Sequence, residues 1–459
     1  MVNKENNPYE RIFGNYSPVC GNRIVFNVSG EKSVYWCLVA MTVPLLLLLT
    51  CTFRSLCKYT HISLVIILTL INLLAVFFFL RTWFTEPGII PKSLSQRKLS
   101  LPPPNETQRM VSGLMVSVRN NRPQYITKAL DMYPTLINET NNEGRTLLHT
   151  CAMFDNPEVA RLLLPYHPDL AICDVFGLRA IHYAANNPSS MVYTLLCHEL
   201  QWEENTWEER REQLKQEIRE RIPEYDMAGN VYMLAKEGEV VTNDDISAFF
   251  LQTSIQEALK SGDSTLIVPV LQFPCLYKGQ LISLHFCASC NHFVPPRGFH
   301  CRYCDVCVRE FDHHCPWVGN CVGYRNHRFF VWFLLTGVFL ALFGIVFVSV
   351  YFASYTINLL ESGVSFTLLS FLRETWGCIL YGCFCVGLIA PCTNLALYHL
   401  RIASHNQTTH EEIALPPHLT VKTETDYKKY YPFSQGWREN LKYVLFSPIM
   451  PSLTALQYV

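Results

Sequence analysis

Charge is scarce in this sequence. Only 16% of its 459 residues are Asp, Glu, Lys or Arg, and 37 basic against 38 acidic residues leave a formal net charge of −1. That balance argues against the basic surface on which bulk nucleic-acid binding depends. In four long apolar runs charge is missing altogether: Val34–Phe53, Ile62–Leu80, Phe329–Tyr351 and Trp376–Leu400 contain no Asp, Glu, Lys or Arg. A channel or transporter predicts ionisable groups inside such runs, so their absence weighs against that class. Nor does the first run read as a signal peptide, because it starts only at Val34 and no small-residue cleavage site separates it from the second. With 49% hydrophobic residues, disorder of the whole chain is excluded. The 19 cysteines do not make a secreted disulfide scaffold, which is small and Cys-dense throughout. Seven of them fall between Cys287 and Cys321 with histidines among them, a metal pattern of a reducing compartment.

The apolar runs are 19 to 25 residues long. That length crosses a hydrocarbon core of about 30 Å as a helix, whereas a buried core helix would run to about ten to fourteen residues. Lys4, Arg11, Arg23 and Lys32 precede the first run, and Arg81, Lys92, Arg97 and Lys98 follow the second. Arg325 and Arg328 precede the third and Arg401 follows the fourth, while the two short connections hold only Arg54, Lys58 and Arg373. The positive-inside rule therefore puts both termini and the long central segment in the cytosol. The sequons at Asn27, Asn105, Asn138 and Asn406 then face away from the glycosylation machinery and are expected to go unused.

The central segment carries a repeat. EGRTLLH at Glu143–His149 and FGLRAIH at Phe176–His182 place Gly144 and Gly177, and likewise His149 and His182, 33 residues apart. Each is followed by small residues and then an apolar helical stretch such as Pro157–Pro165. This period and start resemble ankyrin repeats, in which a turn and two short helices stack on their neighbours. Two copies are too few for stability, so a degenerate copy is expected at Val111–Tyr133 and another at Asp226–Ala235. Trp202–Ile222, rich in Glu and Arg, reads as a solvated amphipathic helix inserted in the array. Leu94–Glu106 reads as a linker.

The cysteine-rich stretch runs Cys287-x2-Cys290-x9-His300-Cys301-x2-Cys304-x2-Cys307-x4-Asp312-His313-His314-Cys315-x5-Cys321. Two residues between thiolates let both reach one tetrahedral Zn²⁺. There are enough candidate ligands for two four-coordinate sites, with groups to spare. A purely structural double site has no need of an extra Cys beside an extra His and an Asp.

Residues Asp312-His313-His314-Cys315 are the tetrapeptide that names the DHHC protein S-acyltransferases, and the segment resembles their cysteine-rich domain. The likeness continues through Pro316-Trp317-Val318-Gly319-Asn320-Cys321-Val322-Gly323 and Asn326-His327-Arg328-Phe329-Phe330. Glu86-Pro87-Gly88 resembles the family's Asp-Pro-Gly, Thr408-Thr409-His410-Glu411 its Thr-Thr-x-Glu, and Tyr431-Pro432-Phe433 through Asn440 its C-terminal aromatic and asparagine motif. Two departures stand out. Glu86 replaces Asp, and the ankyrin-like segment lies between the second and third of four apolar runs rather than ahead of six.

The resemblance implies that Cys287, Cys290, His300 and Cys307 bind one structural zinc, and that Cys301, Cys304, His314 and Cys321 bind the second. His285 and His292 are alternative ligands by proximity, but the spacing favours His300 and both are read as bystanders; Asp312, His313 and Cys315 then stay free. A free thiol needs activation; His313 can take its proton and Asp312 can orient the imidazole. Acyl-CoA is the expected co-substrate. Trp317, with Pro316, is expected to shape the thioester site, and Arg297, Arg302, Arg309, Arg325 and Arg328 are candidate contacts for its phosphates.

The expected fold is a multi-pass α-helical membrane protein with four transmembrane helices, a cytosolic two-zinc cysteine-rich domain and a cytosolic ankyrin-like segment. Its divisions are a cytosolic N-terminal segment 1–33, helices in 34–84, a linker 85–110, the repeats with their charged insert 111–270, the zinc domain 271–328, helices in 329–400 and a cytosolic tail 401–459. The expected activity is transfer of a long-chain acyl group, palmitoyl foremost, from acyl-CoA through Cys315 to cysteine thiols of cytosol-facing proteins. The ankyrin-like segment would recruit those proteins, at a Golgi, reticulum or plasma membrane bilayer, and nucleic acid is not an expected partner. The alternative is a catalytically silent zinc scaffold, against which the intact Asp-His-His-Cys argues.

Overall fold

The structure, a computed structural model, describes residues 16–19, 24–27, 33–51, 58–90, 106–141, 143–187, 190–222, 224–225, 231–232, 240–241, 272–287, 289–290, 292–363, 365–414 and 433–449. The chain divides into two compact units: Met1–Lys92 with Arg297–Ile413 and Phe433–Val459, and Ser93–Pro296 with Ala414–Pro432.

The first unit is built on four apolar helices, Ser33–Cys51, Ile62–Phe84, His327–Ser362 and Leu368–Ser404. Ile62–Phe84, His327–Ser362 and Leu368–Ser404 are long and apolar enough to cross a membrane. In the first helix the apolar stretch among the described residues is shorter, Ser33–Leu46, so three spans meet the criterion where four were expected.

The last two helices also run well past the apolar stretches that announce them. A 36-residue helix is about 54 Å long, more than a hydrocarbon core of about 30 Å can cover. The polar flanks continue the helix because nothing in them breaks it. Helix Leu368–Ser404 starts only where Thr367 accepts a hydrogen bond from the Ser370 amide, an N-cap nine residues before Trp376. At that end the helices carry a polar knot, in which Lys58 donates to Tyr59 and the Tyr59 hydroxyl donates to Glu374 at 2.8 Å. The Tyr351 hydroxyl donates to the Glu374 carbonyl, also at 2.8 Å. Between the ends, Leu45, Leu48, Val65, Leu68, Leu340, Phe347, Cys378, Tyr381 and Cys385 form a common apolar core.

The second unit stacks helix pairs: Glu106–Arg119 with Pro123–Met132, Leu147–Met153 with Pro157–Leu163, and Ala180–Ala185 with Met191–Glu199. The degenerate copy expected at Val111–Tyr133 is the first of these pairs. Gly144 and Gly177 both have positive φ (+72° and +73°), and a Cβ at Gly144 would lie 3.1 Å from the Asp174 backbone. The turn of one repeat thus nests against the next only through a glycine.

The repeated histidines close the helix starts. The Thr146 amide donates to His149 Nδ1 at 3.1 Å, and the Arg179 amide donates to His182 Nδ1 at 3.0 Å. His149 Nε2 reaches the Leu178 carbonyl of the following repeat at 3.1 Å. These histidines are therefore structural joints between repeats.

Two expectations need correcting in this unit. Helix Trp207–Arg221 is not a solvated insert: Leu214, Ile218 and the following Ile222 are buried in the repeat core, and Glu217 meets His182 at 3.0 Å. The apolar positions recur every four residues, so one stripe caps the stack while the Glu/Arg-rich face stays exposed. Of the copy expected at Asp226–Ala235, only Val231–Tyr232 lies within the described residues, and it is a strand where a repeat would place helix. That strand belongs to a six-stranded sheet ordered Val240–Val241, Val231–Tyr232, Glu224–Tyr225, Gln272–Tyr277, Gln280–Cys287 and His292–Val294.

Burial lowers the His149 pKa to about 4, from an ordinary value of 6.5. Between those values the unfolded chain binds a proton that the folded repeat refuses, so stability is lost as pH falls. Amide-exchange protection of Leu147–Met153 and Ala180–Ala185 in the full chain should drop between pH 7 and pH 5. The His149→Asn variant should be less protected at pH 7 and less sensitive to acid. Protection that rises with acid would contradict the assignment.

Candidate active site and metal centre

The site is assembled from the end of helix Ile62–Phe84. The last carbonyls of a helix have no partner within it. Here Asn320 Nδ2 donates to the Thr82, Trp83 and Thr85 carbonyls at 3.2, 2.9 and 3.1 Å. Asn326 Nδ2 donates to Thr82 O at 3.2 Å and to Cys321 O at 2.8 Å. Two buried asparagines thus bind the cysteine-rich loops to the helix end. The chain leaving that helix is turned by Glu86, whose carboxylate accepts from the Gly88 amide at 2.7 Å and from the Ile89 amide, and which pairs with Arg325. Ile89–Ile90 then adds a strand to the hairpin Phe299–Cys301/Val306–Val308. Gly323 sits under this crossing, where a Cβ would come within 2.7 Å of the Pro87 carbonyl.

A second hairpin, His313–Cys315 paired with Asn320–Val322, holds the diagnostic tetrapeptide. Side chains alternate along a strand, so His313 and Cys315 share one face and His314 takes the other. On the His314 face, its Nδ1 lies 3.6, 3.4 and 3.6 Å from the sulfurs of Cys301, Cys304 and Cys321. The Cys304 and Cys321 sulfurs are 3.3 Å apart, and all four donor atoms fall within 4.8 Å of one another. A tetrahedral zinc with ordinary Zn–S and Zn–N bonds requires S···N edges of about 3.6 Å, so these residues fit the ion. Tyr16 supports them, its hydroxyl donating to Asn320 Oδ1 at 2.8 Å and lying 3.3 Å from Cys304 Sγ.

Of the other expected ligand set, His300 Nδ1 and Cys307 Sγ are 3.8 Å apart in the first unit. Cys287 and Cys290 are buried in the second unit, Cys287 at the end of strand Gln280–Cys287. His285 is on the same strand, and the His292 side chain lies outside the described residues.

On the other face, His313 Nδ1 is 2.6 Å from Asp312 Oδ2. Asp312 is buried, and accepts from the Thr409 amide (2.8 Å, Oδ1) and from the Thr409 hydroxyl (2.9 Å, Oδ2). Burial raises the Asp312 pKa, but the bond to His313 and the neighbouring imidazoles more than reverse this and hold the carboxyl well below its usual range. Burial lowers the His313 pKa, but its hydrogen bonds to Asp312 and Cys315 outweigh that and raise it to about 9. Cys315 itself is 6% exposed and sits among Val34, Met41, Phe79, Phe330, Leu334 and Ala396, side chains drawn from all four apolar helices. The thiol therefore has a polar partner on one side and a hydrocarbon lining on the other. Trp317, two residues on, is 64% exposed.

The arginines divide differently from expectation. Arg297 is not a phosphate contact: its side chain is 5% exposed, pairs with Glu411 at 2.8 Å and Glu310 at 3.4 Å, and donates to Asn406. Burial works against its charge, but the two carboxylates override that and hold its pKa above the usual value. Arg325 is likewise engaged by Glu86. Arg309 lies over the Tyr324 ring. Arg302 is exposed, and the Arg328 Nε has no hydrogen-bond partner among the described residues. Sequence reasoning also missed His399, whose ring lies 5.9 Å from that of His313, and the bond from Thr409 to Asp312. The first is a lone histidine in an apolar run; the second was visible only as part of the Thr-Thr-x-Glu motif.

Residues 280–415 match the family model of the DHHC palmitoyltransferases, and residues 114–205 match ankyrin repeats in three copies. The chain thus carries a DHHC palmitoyltransferase domain and ankyrin repeats. It is 36% identical over 176 residues to palmitoyltransferase ZDHHC14 of Mus musculus, covering 38% of this chain and 34% of that protein. It is 40% identical over 153 residues to palmitoyltransferase ZDHHC18 of Homo sapiens (33% and 38%), and 41% identical over 136 residues to palmitoyltransferase ZDHHC9 of Bos taurus (29% and 35%). The chain spans about a third of the length of the curated relatives it matches.

Removing Arg297 would leave Glu310 and Glu411 facing each other without their cation. Arg297→Ala should cost on the order of 3 kcal/mol in stability, seen as a lower unfolding midpoint. The folded fraction should keep its apparent KM for acyl-CoA. A raised KM with unchanged stability would restore Arg297 as a ligand contact.

Proposed function

We propose that this chain is a membrane-embedded protein S-acyltransferase that carries a long-chain acyl group, palmitoyl foremost, on Cys315. The observation that carries the reading is a free cysteine, apart from the zinc-type cluster, hydrogen-bonded to an imidazole that a buried carboxylate holds, with apolar helices around it. A silent scaffold has no use for that arrangement.

The chemistry follows from the bonds on the page. His313 Nδ1 is committed to Asp312, which leaves Nε2 for the Cys315 proton. The Cys315 sulfur attacks the thioester carbon, the carbon–sulfur bond to CoA breaks, and the proton held by His313 passes to the departing CoA sulfur. An acceptor cysteine then gives its proton to His313 and attacks the acyl-enzyme, and Cys315 leaves as thiolate. The acyl chain lies among the apolar helices, while Arg302 and Arg328 are, among the described candidates, those not held by a carboxylate or an aromatic ring and so offered to the phosphates of CoA.

Four membrane helices with cytosolic termini put this centre at the cytosolic face of an internal or plasma membrane, as the flanking basic residues indicate. Two zinc ions, one on Cys301, Cys304, His314 and Cys321 and one on Cys287, Cys290, His300 and Cys307, stiffen the loops when bound and take no part in the transfer. The ankyrin repeats recruit substrate proteins through their stacked helices.

Release of CoA from a long-chain acyl-CoA tests the reading. Cys315→Ser should abolish it at an unchanged zinc content, whereas Cys304→Ser should lose zinc and fold poorly. Zinc lost from Cys315→Ser would make Cys315 a ligand and end the proposal. His313→Ala should slow release by about two to four orders of magnitude, the range for loss of a general base. A His313→Ala rate within a factor of a few of wild type would remove the histidine from the mechanism.

A further inference from the structure

Behind the Asp312–His313 pair lies a group of potential ligands that neither zinc cluster uses. Asp312, His327 and His399 bring a carboxylate oxygen and two imidazole nitrogens within 4.8 Å of one another. His327 is the first residue of its helix, and His399 lies near the end of helix Leu368–Ser404. Their rings are 5.8 Å apart. His399 is 2% exposed. Both His327 Nε2 and His399 Nδ1 are buried without a hydrogen-bond partner among the described residues. Leaving two such nitrogens bare costs about 1–3 kcal/mol each, so the arrangement favours something that occupies both. Asp312 has room for it: a carboxylate has about four acceptor positions, and His313 and Thr409 fill three.

We propose that Asp312, His327 and His399 form a third metal site, selective for a divalent transition ion such as Zn²⁺, and that its occupancy switches off the neighbouring thiol. Two imidazoles and one carboxylate suit zinc and not calcium or magnesium, which prefer all-oxygen shells. With only three protein ligands the fourth position stays open, so binding is reversible where the cysteine sites are not. An ion on Asp312 draws off the electron density that orients His313, and it fixes His399 against the His313 ring. The effect on turnover rests on the acyl-transfer reading; the binding does not.

The test uses the full chain in lipid discs with its cysteine sites already filled with zinc. Added Co²⁺ should take one further equivalent, with visible d–d bands but without the thiolate-to-metal charge-transfer absorption that cysteine sites give, and zinc should displace it. His399→Gln and His327→Gln should each lose this equivalent and keep the cysteine-bound zinc, which also reports that they are folded. Zinc at a concentration that fills the site should slow CoA release by wild type about tenfold or more. It should leave each variant at its own metal-free rate. Absence of the extra cobalt equivalent, or equal uptake by both variants, overturns the site. Inhibition that persists in both variants overturns the switch. Should the acyl-transfer reading fail instead, wild type would release no CoA even without added metal, while cobalt would still report the site.

Discussion

The buried carboxylate of Asp312 is the constraint on which the centre depends. A charge without solvent is tolerated only where hydrogen bonds replace the water it has lost. Asp312 finds its partners in His313, beside it on the hairpin, and in Thr409, nearly a hundred residues on and just past the last apolar helix. The bond that orients the imidazole therefore also fastens the hairpin to the segment following the helices. The asparagines do the same at the other side, where Asn320 and Asn326 bind that hairpin to the end of helix Ile62–Phe84. A loop with little core of its own is held in place by polar bonds to helix ends.

Strand alternation then divides the labour of four consecutive residues. The hairpin register turns His314 toward Cys301, Cys304 and Cys321, and sends His313 and Cys315 to the side lined by the apolar helices. A slip of one residue would exchange the two faces and put Cys315 among the metal ligands. A metal on the His314 side would fix this register, so that a site on one face of the hairpin would govern the position of the thiol on the other.

Much of this was legible in the sequence because it is local. Cysteine spacing, the surplus Asp-His-Cys and the 33-residue repeat are patterns within a few dozen residues. What was not legible depends on partners far along the chain. Arg297 looks like any exposed cation until Glu411 and Asn406, more than a hundred residues later, are seen to enclose it. The Glu/Arg-rich helix Trp207–Arg221 has an average composition that suggests full solvation, and its sparse stripe of Leu214 and Ile218 becomes decisive only against the repeat core. His399 sits in an apolar run whose other residues say only that it is hydrophobic, and its meeting with His313 comes from helix packing. The long helices outrun the apolar runs for a related reason, since hydropathy marks where lipid would be and not where the backbone stops coiling.

The central claim is that the acyl group passes through one thiol. Wild-type chain mixed with one equivalent of labelled palmitoyl-CoA and no acceptor should gain one acyl mass, removed by neutral hydroxylamine and mapped by proteolysis to the peptide containing Cys315. A chase with an acceptor cysteine peptide should then move that label to the peptide at the rate at which the acyl-enzyme disappears. Label on another cysteine, or a peptide acylated while the label on Cys315 stays put, would contradict the account.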